Sequence, residues 1–175
     1  PDSLSLLNVV SLANEKSGNF NAAVDNYKQA LKTAPNSPEV YNNMGNALQK
    51  QGKLEEAVEA YNKALSIKPD YAEAYNNMGN ALQDQGKLDE AIEAYNKALA
   101  VKPDLANAYS NMGNALKEQG KLDEAIEACK KSLALEPDNA EAYNNMGNAL
   151  QAQGELEEAI ASYNKALAIK PDYAE

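Results

Sequence analysis

The sequence predicts an all-α protein made of five stacked helical hairpins. The main observation is a 34-residue period, because segment 72–105 returns nearly unchanged when the sequence is shifted by 34 residues in either direction. Within each copy, apolar residues recur at helical spacing, and glycine and proline interrupt the helical segments. Stacked repeats bury one continuous core between neighbours, so a chain of 175 residues need not divide into globular domains.

The copies define the domain organisation. We predict a single array over residues 1–175, in which residues 174–175 open a truncated sixth unit. Because no hydrophilic capping helix follows, the sequence looks like a cut through a longer array, and uncapped ends favour head-to-tail self-association. The five repeats are residues 4–37, 38–71, 72–105, 106–139 and 140–173.

The second half of each copy has the pattern of an amphipathic helix. In the third copy Leu88, Ala91, Ile92 and Tyr95 fall at i, i+3, i+4 and i+7, which places them on one apolar stripe. Pro103 ends this segment because proline cannot continue a helix. We therefore predict that the second half of each repeat is an amphipathic helix that ends before the proline.

The first half of each copy contains a glycine inside its helical pattern. Glycine costs a helix about 1 kcal/mol relative to alanine, so its recurrence predicts close approach of the partner helix. These glycines are Gly45, Gly79, Gly113 and Gly147, and the alanines expected opposite are Ala57, Ala91, Ala125 and Ala159. Capping boxes are predicted at the starts of these helices, from the pairs Asn36/Glu39, Asp70/Glu73, Asp138/Glu141 and Asp172/Glu175.

The composition excludes several classes of function. The net charge is −10, from 16 basic and 26 acidic residues, and there is no histidine and no arginine. A chain of this kind does not suit nucleic-acid binding, and no serine or cysteine has a histidine to activate it. We expect no enzyme activity, no metal and no cofactor, and the single Cys129 should be a buried, inert thiol. No apolar run reaches membrane-spanning length, which favours a cytoplasmic protein with no membrane partner.

The motif of the third copy resembles a known family. Tyr75-x-x-Met78-Gly79-x-x-Leu82, followed by the alanine, tyrosine and proline of the second helix, resembles the tetratricopeptide repeat (TPR) over residues 4–173. The resemblance implies a right-handed superhelical solenoid of five helix-turn-helix units, ten helices in all, whose first helices line a concave groove. The asparagine-rich helices are similar to the repeat region of the O-linked N-acetylglucosamine transferases and of bacterial TPR arrays.

Asparagines recur at fixed positions of the first helices and form the predicted binding site. A side-chain amide offers two donors and one acceptor, so it can pair with the backbone of an extended peptide whatever its sequence. The first asparagine row is Asn43, Asn77, Asn111 and Asn145; the second row is Asn46, Asn80, Asn114 and Asn148; the flanking residues are Asn42, Asn76 and Asn144. The resemblance to the transferases implies a substrate-binding role for the first row, whose residues we expect to be exposed. The alternative is that these amides serve solubility or local hydrogen bonding.

The first copy departs from the others on its first helix. It carries Ser11 in the glycine position, and Val9 and Leu12 where later copies have asparagine. It is either an ordinary first repeat with looser packing or the site of an apolar contact with another chain.

Three functions are compatible with these patterns. The leading one is a protein-interaction scaffold that binds extended peptide segments in an asparagine-lined groove. The chain could instead be the substrate-recruiting arm of a larger glycosyltransferase or sulfotransferase whose catalytic domain lies outside these residues. It could also be an engineered or purely structural array with no ligand.

Overall fold

The structure is a computed structural model that describes residues 3–171, except for the side chains of residues 3–6, 8, 12 and 15. Three sequence predictions therefore fall outside the described residues. They are the apolar contact through Leu12, the capping pair Asp172/Glu175 and the truncated unit at residues 174–175.

The described residues form ten α-helices and no strands, which confirms the predicted all-α fold of paired helices. The helices are α1 (Ser3–Lys16), α2 (Phe20–Thr33), α3 (Pro38–Lys50), α4 (Leu54–Ile67), α5 (Ala72–Asp84), α6 (Leu88–Val101), α7 (Ala106–Glu118), α8 (Leu122–Leu135), α9 (Ala140–Gln153) and α10 (Leu156–Ile169). Odd-numbered helices are the first helices of the repeats, and even-numbered helices are the second.

Contacts group the chain into two compact units, Pro1–Gly86 and Lys87–Glu175. In the first unit α1 pairs with α2 and α3 with α4, and in the second α7 pairs with α8 and α9 with α10. Within a unit, each second helix packs on the first helix that follows it, and the first helices of successive repeats also touch, α3 with α5 and α7 with α9. These contacts are those of stacked helical hairpins.

The core is built mainly from alanine, with a fully buried tyrosine in each of the second helices α2, α4 and α6. In α4 the side chains of Ala57, Ala60, Tyr61 and Ala64 are all buried. Alanine lets the helices approach closely, and the tyrosine supplies most of the bulk because an aromatic side chain buries about 150–250 Å². The same arrangement surrounds the fully buried Tyr27 in α2.

The helical glycines of α3, α7 and α9 lie at close approaches to the second helix, and the nearest group is the side chain one turn after the predicted alanine. A Cβ added at Gly45 would lie 2.5 Å from Cε1 of Tyr61, and one at Gly147 would lie 2.6 Å from Cε1 of Tyr163. The alanine prediction holds at Gly113, where the carbonyl oxygen of Ala125 would lie 3.1 Å from an added Cβ, beside the Cys129 Sγ at 2.7 Å. At Gly45 and Gly147 the prediction missed the nearest group by one helical turn, because the long tyrosine ring lies across the glycine.

The predicted capping boxes were misplaced by one residue. The residues preceding α3, α5 and α9 are Ser37, Tyr71 and Asn139, rather than the predicted Asn36, Asp70 and Asp138. The residue predicted to cap each helix lies instead in the turn that includes the preceding proline. The helix therefore begins one position later. Of these three, only the Asn139 side chain caps its helix, accepting a 3.0 Å hydrogen bond from the backbone N–H of Ala142.

The turn inside each hairpin depends on a glycine with a left-handed backbone. Gly52 has φ +76° and Gly120 has φ +78°, a conformation that side chains with a Cβ rarely adopt. This turn lets the N–H of Lys53 donate to the carbonyl of Leu48, at 3.0 Å, which satisfies a helix-terminal oxygen.

Candidate functional site

The first asparagine row links successive repeats. The Asn77 Nδ2 donates to Asn42 Oδ1 at 3.1 Å, and the Asn145 Nδ2 donates to both the carbonyl oxygen and Oγ of Ser110, at 3.3 and 3.2 Å. In both cases the acceptor belongs to the first helix of the preceding repeat, 35 residues earlier. Part of each amide's hydrogen-bonding capacity is therefore committed to joining repeats.

This linkage changes what the sequence predicted about exposure. Asn145 is only 8% exposed and Asn42 only 6%, so the expectation of an exposed first row is wrong at Asn145, and the flanking Asn42 is also buried. Their amides find partners in the neighbouring repeat in place of water. Asn43, Asn77 and Asn111 remain half-buried.

Two asparagines of the second row, Asn46 and Asn148, are oriented by tyrosines of the second helices. The Tyr61 hydroxyl shares its proton between Asn46 Oδ1, at 2.8 Å, and Gln49 Oε1, at 3.2 Å. The Tyr163 hydroxyl does the same with Asn148 Oδ1, at 2.8 Å, and Gln151, at 2.9 Å. Burial raises the pKa of Tyr163, which keeps its hydroxyl protonated and able to donate.

The hydroxyl contact decides which side of the amide remains for a ligand. With Asn46 Oδ1 turned toward Tyr61, the Asn46 Nδ2 group lies on the opposite side of the amide, and it has no acceptor among the described residues. An Nδ2 group carries two N–H donors. Asn46 and Asn148 therefore present preoriented donors, which suit the carbonyl oxygens of a peptide.

Asn114 differs from Asn46 and Asn148. Its repeat has Cys129 in place of the tyrosine, and the Asn114 Nδ2 donates to Glu118 Oε1 at 3.1 Å. Asn114 therefore presents fewer donors than Asn46 or Asn148.

Both rows meet in one depression of the first unit, which we call the amide depression. It has a volume of about 510 Å³ and combines Asn46 with Asn77 and Asn80 of the next repeat. Its other lining residues are Lys16, Phe20, Gln49 and Lys50. Sequence reasoning missed these four. Gln49 could have been found, because Gln83 and Gln151 recur at the same repeat position.

Carboxylates lie near the starts of the first helices. Burial, followed by the negative charges of Glu39 and Glu73, raises the pKa of Tyr71. The Lys68 ammonium lies 4.8 Å from the centroid of the same ring. The tyrosine therefore stays neutral between one cation and two anions.

Family models match most of the chain. One described as "Tetratricopeptide repeat" matches residues 36–104 and 104–172, and one described as "TPR repeat" matches residues 16–52. The chain belongs to the tetratricopeptide repeat family. No curated protein sequence matches it.

Solved structures resemble the chain along most of its length. The crystal structure of MamA is 30% identical, with a TM-score of 0.79 over 94% of this chain and 96% of the other. TTC0263, a thermophilic TPR protein in Thermus thermophilus, is 24% identical, with a TM-score of 0.83 over 98% and 94%. YrrB, a TPR protein with an unusual peptide-binding site, is 21% identical, with a TM-score of 0.71 over 96% and 87%. At the two lower identities the likeness shows the TPR fold alone.

Cys129 occupies a core position of its TPR unit. It is fully buried, which confirms the predicted burial, and this burial raises the pKa of its thiol to about 12. Its thiolate is therefore scarce at neutral pH, and the thiol has little nucleophilic character.

The described residues lack two kinds of feature. No group of three or more acidic, histidine or cysteine side chains is placed to hold a metal ion. No described helix combines the length and the apolar character needed to cross a membrane.

Proposed function

We propose that this TPR chain is a protein-interaction scaffold that binds an extended segment of a partner protein along its first helices. The observation that carries the proposal is the amide depression, which has a volume of about 510 Å³. Asn46, Asn77 and Asn80, from two successive first helices, line it together. The fold similarity to YrrB, described as having a peptide-binding site, is consistent with this function.

The second asparagine row provides the main contacts in this proposal. Asn46 directs an Nδ2 group away from Tyr61, and such donors would bind peptide carbonyl oxygens. Packed helices lie about 8–10 Å apart and an extended chain rises about 3.3 Å per residue, so each repeat would contact about three peptide residues. Because amides bind backbone groups, the surface would accept many sequences.

In this proposal the first asparagine row has a structural role rather than a binding role. Asn77 and Asn145 hold successive first helices in register, and Asn43 and Asn111 occupy the equivalent positions. Lys16 and Lys50 at the edge of the amide depression would favour segments that also carry carboxylates. That all five repeats form one continuous binding array is part of the proposal.

The experiment is to pan the protein against a random peptide library and to measure selected peptides by fluorescence anisotropy. The test variant is Asn46→Ala/Asn80→Ala, which removes two second-row amides. The matched control is Asn62→Ala/Asn164→Ala, which removes two exposed asparagines from second helices. We expect the test variant to weaken peptide binding by about tenfold or more, since each lost hydrogen bond is worth about 0.5–1.5 kcal/mol.

Other outcomes would contradict the proposal. If the control variant loses as much affinity as the test variant, the first helices are not the binding surface. If the library yields no binder, the chain is better explained as an array without a peptide ligand. Thermal unfolding of both variants would show whether a loss of affinity reflects a loss of folded protein.

A second proposal, self-association, is favoured by an apolar stripe on α10. Ile160 is 59% exposed, whereas Ile126 at the same repeat position is 8% exposed because α9 packs beside it. Leu156 is also exposed, and so are Val9 and Val10 on α1. We propose that α10 of one molecule packs on α1 of another.

The oligomeric state tests this second proposal. Light scattering at increasing concentration should give a mass that rises above 18.8 kDa. Ile160→Lys should keep the mass at the monomer value, whereas Ala168→Lys, a control at another exposed position of α10, should not. A concentration-independent monomer would contradict the proposal.

A further inference from the structure

Two crevices of the second unit lie on either side of α8. The upstream crevice, between α6 and α8, has a volume of about 440 Å³, and the downstream crevice, between α8 and α10, has about 360 Å³. Both volumes fall within the range of about 300–1,000 Å³ that ligand sites occupy. None of their lining residues is an asparagine of the two rows, so this surface is separate from the one proposed above.

The crevices have equivalent apolar floors. Ile92, Met112 and Leu116 line the upstream crevice, and the residues 34 positions later line the downstream one, namely Ile126, Met146 and Leu150. Methionine is flexible and polarisable, so it adapts to different apolar side chains. The floor is thus a property of the repeat, produced because a first helix lies at the bottom between two second helices.

The rims of both crevices are acidic. Asp123 and Glu127 on α8 line both crevices, Glu124 joins them upstream, and Glu155 and Glu158 join them downstream. All five carboxylates belong to exposed residues. Each crevice has one lysine, Lys131 upstream and Lys130 downstream, so negative charge predominates in both.

We infer that these paired crevices bind a basic segment of a partner protein, with a large apolar side chain in each crevice and a lysine or arginine over Glu127. Charge complementarity selects the partner, because an acidic rim attracts cations and repels acidic segments. The apolar floor adds the requirement for leucine, methionine or a similar residue, which a purely electrostatic surface would not have.

The width of α8 sets the spacing of the two anchors. A helix with its side chains is about 10–12 Å across. In an extended segment, residues i and i+4 point to the same side and lie about 13 Å apart, with residue i+2 between them on that side. The preferred segment therefore has apolar residues at i and i+4 and a basic residue at i+2, above Glu127.

The test uses a labelled synthetic peptide, KKLSKSLKK, and fluorescence anisotropy with the whole chain at low ionic strength. The variant Glu127→Lys reverses a charge shared by both crevices. The control Glu59→Lys makes the same change at the same repeat position of α4, outside both crevices. We expect Glu127→Lys to weaken binding by about fivefold or more, and Glu59→Lys by less than about twofold.

Peptide variants separate this surface from general attraction to an acidic protein. Replacing both leucines by serine should abolish most of the binding, and replacing the lysines by glutamate should abolish all of it. Equal weakening by Glu127→Lys and Glu59→Lys, equally tight binding of the serine peptide, or no binding of KKLSKSLKK would each overturn the inference. Lys16 and Lys50 at the edge of the amide depression repel a basic peptide there, so the Asn46→Ala/Asn80→Ala variant should bind KKLSKSLKK normally. Failure here is therefore distinguishable from failure of the proposed groove.

Discussion

The second and fourth repeats share one fold but join their two helices differently. In the second repeat the buried Tyr61 lies across Gly45 and reaches Asn46 and Gln49 with its hydroxyl. In the fourth, the side chain of Cys129 ends above Gly113, where its Sγ would lie 2.7 Å from an added Cβ. The aromatic ring and its hydroxyl contacts are absent there.

The difference shows that the second-row asparagine depends on the second helix. Where the tyrosine is present, its hydroxyl turns the asparagine oxygen inward. Where Cys129 replaces it, the Asn114 amide donates to Glu118 instead, and Lys117 stands at the position of Gln49. Tyrosine, asparagine and glutamine act as a set, so we expect the fourth repeat to contribute least to peptide binding.

The largest predicted effect comes from removing the aromatic side chain. Tyr61→Ala should destabilise the protein by about 3–5 kcal/mol, as is usual when a large aromatic side chain is lost from a core. Cys129→Ala should cost only about 1 kcal/mol, because far fewer buried atoms are lost. Urea unfolding of both variants measures the contrast, and equal losses would show that the two positions carry similar packing energy.

The close approach at glycine gives the next largest effect. Gly45→Ala should destabilise by about 1–3 kcal/mol, because the new Cβ would lie 2.5 Å from the Tyr61 ring and force it to move. In a Tyr61→Ala background the same change should instead stabilise by up to about 1 kcal/mol, since only the better helix propensity of alanine remains.

A double-mutant cycle in urea measures this reversal of sign. The cycle isolates the contact between the two side chains. If Gly45→Ala has the same effect in both backgrounds, the ring is not what requires glycine.

The smallest effect is a pH dependence specific to the fourth repeat. The pKa of Cys129 is about 12 in the folded chain against an ordinary 9.0, so above pH 9 the unfolded chain loses the thiol proton first. The unfolding free energy should therefore fall by about 1 kcal/mol between pH 9 and pH 10. The unfolding free energy of Cys129→Ala should lack this decrease. Unfolding both proteins at about pH 8, 9 and 10 checks the difference, and parallel curves would contradict it.

The sequence predicted the helical pairs well because their signals are local. The apolar stripe of Leu88, Ala91, Ile92 and Tyr95 depends only on helical period, and α6 (Leu88–Val101) follows it. The proline correctly predicted where this helix ends, because the helix stops at Val101, two residues before Pro103. The misplaced capping boxes show the limit of local signals, because a pattern of residue types does not fix where the turn ends.

The candidate site was harder to predict because its geometry depends on neighbouring repeats. Recurrence identified both asparagine rows, but it could not show that Asn145 is buried against Ser110, since that contact depends on how successive first helices pack. The two crevices beside α8 were missed for the same reason. Their residues come from several helices, and no single helix has a pattern that indicates them.

The side-chain hydrogen bonds between successive repeats have a consequence for how the chain folds. Hydrogen bonds between repeats join residues only 30 or 35 positions apart, as in Gln119 to Asp89 and Asn77 to Asn42. A chain held by such short-range contacts closes no large loops, and proteins of low contact order fold quickly. Each hairpin can therefore form as soon as its own residues and those of one neighbour are available, and folding can spread from any repeat to the next during synthesis.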